Sequence, residues 1–147
     1  MDLFVSLDVS VRTTSVCVMD GTGKVLKEAK VESEPSAIAT LLGNFDGHYR
    51  RVGLEAGPLS QWLYGGLATL GYPVICVETR HMKAALSAQI NKTDRNDARG
   101  IAQMMRVGLY RPVHVKTERS QEIRMLLTAR KFLQSQIIDA ENNLRGL

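Results

Sequence analysis

The 147-residue sequence predicts an α/β domain, a mixed sheet with flanking helices, followed by a long C-terminal helix of coiled-coil type. Three observations carry this. Short apolar runs closed by turn residues crowd the start of the chain, as in an antiparallel meander. From residue 33 onward helix and strand patterns alternate, the order that parallel crossovers require. Beyond residue 120, apolar side chains recur every seven positions.

Residues 3–7 (Leu-Phe-Val-Ser-Leu) form an apolar run that stops at Asp8. Both faces of such a strand are largely apolar, so it belongs in the middle of the sheet. Residues 13–19 are β-branched and apolar. Asp20-Gly21-Thr22-Gly23 is a strong turn, and residues 25–31 return as the other arm of a hairpin. Ser33-Glu34-Pro35 opens a helix that runs to Leu42, with Pro in its first turn. Arg51-Val52-Gly53-Leu54 is a further strand, ending at Glu55. After the Gly57-Pro58 break, Leu59, Trp62, Leu63, Leu67 and Leu70 follow helical spacing, which makes Trp62 a core residue. Gly71 caps this helix, and residues 73–77 form the next strand. Residues 80–90 are weakly helical and Asn91-Lys92-Thr93 interrupts them. A helix then spans about Asp94 to Val107, with Ile101, Met104 and Met105 on one side.

In the last stretch Ile123, Arg130, Ile137 and Leu144 hold one heptad position, and Leu126, Leu133, Ala140 and Leu147 another. The seam predicts either a helix lying on its own domain or an arm that pairs with a second copy. The expected division is residues 1–115 and 116–147. The seam is still in phase at Leu147, which suggests a fragment of a longer protein.

Composition narrows the function. Hydrophobic residues are 44% and charged residues 23%, which excludes wholesale disorder. Two cysteines, each inside an apolar run, exclude a disulfide scaffold. No apolar run approaches a membrane span and no leader pattern opens the chain, so no membrane partner and a cytoplasmic location are expected. Charge is lopsided. Residues 1–78 hold 6 Lys/Arg against 9 Asp/Glu, whereas residues 79–147 hold 13 against 6. A one-sided positive field suits a polyanion.

Four carboxylates stand in telling places. Asp8 and Glu55 each close a strand, where open α/β sheets bind ligands. If the two strands are neighbours, these acids converge. Asp94 and Asp97 share one face of the first turn of a helix. N-capping accounts for one of them, but Asp97 lies on the stripe of Ile101 and Met104, and a carboxylate turned toward a core needs a partner or a metal. Acids from three separate elements repel unless a cation joins them. Mg²⁺ or Mn²⁺ prefers such oxygen donors, and a pair of ions suits in-line phosphoryl transfer. His48, His81 and His114 are scattered and form no cluster. Around the second acid pair, Arg80, Lys83, Lys92, Arg95, Arg99 and Arg106 offer contacts to a phosphate backbone. Aromatics are only 5% of the chain, so base stacking is not the main mode.

Leu7-Asp8-Val9-Ser10, Gly53-Leu54-Glu55-Ala56-Gly57 and Lys92-Thr93-Asp94-Arg95-Asn96-Asp97-Ala98, in this order and spacing, resemble the insertion-sequence transposases and DNA invertases of the Piv/MooV type. The likeness covers residue 3 to about residue 108. It implies an N-terminal ribonuclease-H-like (RuvC-like) DEDD domain with Asp8, Glu55, Asp94 and Asp97 as catalytic, metal-binding tetrad, followed by a coiled coil. It also implies DNA as substrate, a structured guide RNA as partner and assembly as dimers or tetramers. In that family a nucleophilic serine lies in a further domain, so strand exchange by these residues alone is not expected. Two alternatives stand beside this reading. An ATP-binding domain of the actin, sugar-kinase and Hsp70 class would use Asp8, Thr13-Thr14 and the strand ending in Asp20-Gly21-Thr22-Gly23 as its first phosphate loop, although Ser10 stands where that class needs glycine, no second Gly-rich loop appears and 147 residues cannot supply both lobes. A non-catalytic nucleic-acid-binding dimerisation module would explain the heptads and the basic half, but not the acids.

Overall fold

The computed structural model describes residues 1–78, 80, 84 and 94–147, with the backbone only at residues 94–96. The chain falls into two units, Met1–Val115 and Lys116–Leu147. The first is built on a five-stranded sheet of β1 (Asp2–Val9), β2 (Thr13–Asp20), β3 (Val25–Glu32), β4 (His48–Glu55) and β5 (Val74–Val77), in the order β3-β2-β1-β4-β5. The β1–β2 and β2–β3 pairs are antiparallel, whereas β1–β4 and β4–β5 are parallel. Among the described residues this unit includes the helices α1 (Pro35–Leu42), α2 (Ser60–Thr69) and α3 (Asp94–Val107).

Alternation along each strand separates two cores. Leu3, Val5 and Leu7 of β1, Val16 and Val18 of β2, and Val52 and Leu54 of β4 meet Ile38 and Leu42 of α1 and Leu63 and Leu67 of α2. On the opposite face, Phe4 and Val77 pack on Ile101 and Met105 of α3, and Cys17 and Met19 pack on Ala98 and Ala102. Central strands buried on both faces explain the unbroken apolar run at residues 3–7. Gly53 lets α3 lie close to β4, since a Cβ there would stand 2.6 Å from Met105 Sδ. Gly71, at φ +87°, turns the chain out of α2 into β5 as a left-handed cap.

Trp62 departs from the expectation. It is 48% exposed, and Leu70 is 55% exposed. The buried stripe of α2 is Leu63 and Leu67, one turn apart, and Trp62 stands one residue, or about 100°, around the helix from it. The edge of β5 is covered: Glu78 N–H donates to Arg111 O and Val113 N–H to Cys76 O. The other edge strand, β3, carries exposed Lys27 and Lys30, which discourage pairing with a further strand. Within residues 80–90, Arg80 and Ala84 are helical; the rest of that expected helix, with His81 and Lys83, and the Asn91-Lys92-Thr93 break lie outside the described residues.

The second unit is α4 (Glu118–Arg145), 28 residues and about 42 Å long. Thr117 caps it, its hydroxyl accepting from Ser120 N–H at 3.2 Å. Ile123, Leu126, Leu133, Ile137 and Leu144 are all exposed by half or more. Among the described residues no helix is long and apolar enough to cross a membrane.

Candidate functional site

The parallel ladder of β1 with β4 pairs Leu7 with Leu54. The next position on each strand is an acid, Asp8 and Glu55. Adjacent strands lie about 4.8 Å apart, so these carboxylates stand side by side at the carboxyl ends of two central parallel strands. Both are half-buried. The register carries the row further: Asp8 pairs with Ser15 of β2, Ser15 with Lys30 of β3, and Glu55 with Val77 of β5.

Alternation also fixes the face. Phe4, Ser6 and Asp8 point the same way, and Phe4 packs on Ile101 and Met105 of α3. Ser6, wholly buried, donates its hydroxyl to Ala98 O at 2.5 Å. On β4, Gly53 faces Met105 and Glu55 follows two positions on. Asp8 and Glu55 therefore rise on the face that α3 covers. Since Ala98 lies over Ser6 and Met105 near Phe4, α3 runs back along β1, and its first turn is at the acid end. Asp97 in that turn is half-buried beside the Ala98–Ala102–Met105 stripe. Asp94 begins the helix, and its side chain lies outside the described residues. Among the described residues no three His, Cys, Asp or Glu side chains form a metal-holding group. The structure thus joins Asp8 to Glu55 and sets the helix end bearing Asp97 at the same edge.

The donor set suits a hard cation. It consists of carboxylate oxygens, while His48 and His114 are exposed elsewhere and both thiols are buried. Oxygen donors of this kind are those that hard ions such as Mg²⁺ and Mn²⁺ prefer.

Two cations of the expected phosphate path have partners inside the fold. The Arg99 guanidinium forms a two-pronged ion pair with Glu28 of β3, Nη2 to Oε2 at 2.8 Å, and Glu28 raises its pKa. Arg106 donates to Gln103 Oε1 at 3.1 Å and to Gly21 O at 3.3 Å. Arg80 is exposed, Lys83 and Lys92 lie outside the described residues, and Arg95 is described by its backbone only. Arg51 was not foreseen. It lies between the rings of Phe4 (5.9 Å) and Tyr110 (5.6 Å) and donates to Met105 O at 2.6 Å, securing the far end of α3. The Asp20 turn is closed on itself. Asp20 Oδ1 accepts from the Thr22 hydroxyl above all, and from Lys24 N–H and Thr22 N–H, which holds the carboxyl below its usual range. Those amides are engaged, so this turn offers none of them to a phosphate.

Beneath α3, burial and then the charge of Glu28 push the Cys17 thiol up to about 11, against a smaller opposing effect of Arg99. Cys17 is expected to resist thiol reagents at pH 8 in the native chain and to react on unfolding, which a timed DTNB assay checks. The folded pKa lies above the ordinary 9.0. The thiol's contribution to stability is therefore intact below pH 9 and lost as pH rises toward 11.

Comparison with known proteins agrees with this architecture. Thermus thermophilus RuvC in complex with a Holliday junction substrate aligns at a TM-score of 0.54 and 16% identity, over 77% of this chain and 100% of that one. The fold is RuvC-like, of the ribonuclease-H class. The transposase for insertion sequence element IS1111A from Coxiella burnetii (strain RSA 493 / Nine Mile phase I) is 29% identical over 96% of this chain. This chain spans 37% of that relative's length. The sequence profile of the IS110 DEDD transposases, described as "Transposase", matches residues 5–147. On that match, the chain belongs to the IS110 DEDD transposase family.

Proposed function

We propose that residues 1–115 form a metal-dependent phosphoryl-transfer domain of a DNA transposase or recombinase, with Asp8, Glu55, Asp94 and Asp97 as the carboxylates that hold Mg²⁺ or Mn²⁺. The observation that carries this reading is the placement of Asp8 and Glu55 side by side at the ends of β1 and β4, on the face covered by α3. A divalent cation held by these carboxylates would supply charge stabilisation for phosphoryl transfer at a phosphodiester. The chain's own contribution is rigidity. Two central strands fix a pair of acids through their ladders, and a packed helix brings the second pair.

Arg80, Lys83, Lys92, Arg95, Arg99 and Arg106 supply a positive field for the DNA backbone, with Arg99 and Arg106 also tying α3 to the β2–β3 hairpin. The heptad seam of α4 makes the chain a dimer or tetramer. A structured guide RNA that pairs with target and donor DNA, as in Piv/MooV-type systems, completes the assembly in the cytoplasm. The acids argue against a purely structural nucleic-acid module, because an acid cluster without metal repels phosphate.

The RuvC relative carries branched DNA, so branched DNA is the substrate to test. Fluorescence anisotropy with a labelled four-way junction is expected to show at least about tenfold tighter binding in Mn²⁺ than in EDTA. Equal affinity in both conditions, with no preference over duplex, would contradict the proposal.

A further inference from the structure

Ser6 is a polar residue in the central strand of the sheet, flanked by Val5 and Leu7 and wholly removed from solvent. Its hydroxyl donates to Ala98 O at 2.5 Å. That carbonyl already lies within the backbone ladder of α3, so the bond is not needed to satisfy the helix. We propose that Ser6 is a positioning residue for the acid site, setting where the first turn of α3 stands along β1. The inference rests on the reading of Asp8, Glu55, Asp94 and Asp97 as metal ligands.

Nearest the first turn of α3 the apolar contacts come from Ala98 and Ala102, which present small flat surfaces, while bulky Ile101 and flexible Met105 pack on Phe4 and Val77. Apolar attraction is non-directional, so the two alanines by themselves set the Ala98 end only loosely along β1. One residue of slip along the helix is about 1.5 Å, enough to misplace a metal ligand. Directional ties remove that freedom. Arg51 holds the far end through Met105 O, and Glu28 holds Arg99 from the side. The Ser6 bond is the tie nearest the chemistry. Ala98 is the residue after Asp97, and Asp8 is two positions beyond Ser6 on the same strand face. One hydrogen bond therefore joins the two acid-bearing elements beside their acids.

The test compares the full chain with Ser6→Ala and Ile38→Val. Ile38→Val trims the core on the opposite face of the sheet and serves as a control for a general loss of stability. Mn²⁺ affinity is read from the free-ion paramagnetic resonance signal, and α3 is followed by amide hydrogen exchange. Outer-shell partners of metal ligands are commonly worth about 10–100-fold in affinity. Ser6→Ala is expected to bind Mn²⁺ at least about tenfold more weakly and to lose protection at residues 97–101. Ile38→Val is expected to match the parent in both. Ser6→Thr, which keeps the hydroxyl, is expected to restore affinity. Parent-like affinity and protection in Ser6→Ala would overturn the inference, as would equal losses in Ser6→Ala and Ile38→Val. If the parent chain binds no Mn²⁺ at all, the metal reading falls, and this inference with it.

Discussion

Asp8→Asn is expected to lower Mn²⁺ affinity and any metal-dependent action on DNA by at least about 100-fold, more than the 10–100-fold typical of outer-shell changes. Asn keeps the shape of the side chain but loses the charge and one of the two hard acceptor oxygens. Asp8 follows the Leu7–Leu54 pair on a strand buried on both faces, so the backbone has no room to bring another acid into its place. The melting temperature should change little. Removing one of two neighbouring negative charges relieves repulsion with Glu55, which offsets lost local hydrogen bonding. Glu55→Gln should behave alike. Calorimetric Mn²⁺ titration beside thermal melts separates the outcomes, and a variant that melts early yet binds metal normally would speak for a structural acid.

Leu133→Asp is expected to convert a self-associated chain to monomer. In α4 the apolar seam of Ile123, Leu126, Leu133, Ile137 and Leu144 is open to solvent along the helix. Monomers rarely leave so long an apolar stripe uncovered. Leu133 is at the middle of the seam, where a carboxylate has no exit to water once helices pair. Ser135 lies on the opposite side of the heptad, so Ser135→Asp should leave assembly unchanged. Sedimentation velocity distinguishes the two. A parent chain that is monomeric at tens of micromolar would remove the seam as an interface. Mn²⁺ affinity should be unaffected by Leu133→Asp, because the seam belongs to the Lys116–Leu147 unit.

Much of the fold was legible because local signals agreed with tertiary context. The Asp20 turn, Pro35 at a helix start, Gly71 after α2 and the span of α3 all follow from backbone chemistry. Trp62 was misplaced because its spacing to Leu59 also fits a helical stripe, and spacing does not say which of two overlapping stripes meets the sheet. The acid pair was half legible. Each strand visibly ended on a carboxylate, but their adjacency depends on β4 returning beside β1, a long-range pairing that no local pattern encodes. Arg99 looked like a phosphate contact because its partner, Glu28, is 71 residues away. Ser6 passed as part of an apolar run, because its partner is a backbone carbonyl, which leaves no mark on the sequence.

A crystal of the chain grown with Mn²⁺, with data collected at the manganese absorption edge, measures the central claim directly. The account predicts anomalous density about 2.1 Å from carboxylate oxygens of both Asp8 and Glu55, with Asp94 or Asp97 completing the shell. Saturating Mn²⁺ with no density between those strand ends, or with the ion held only at other residues, would contradict it.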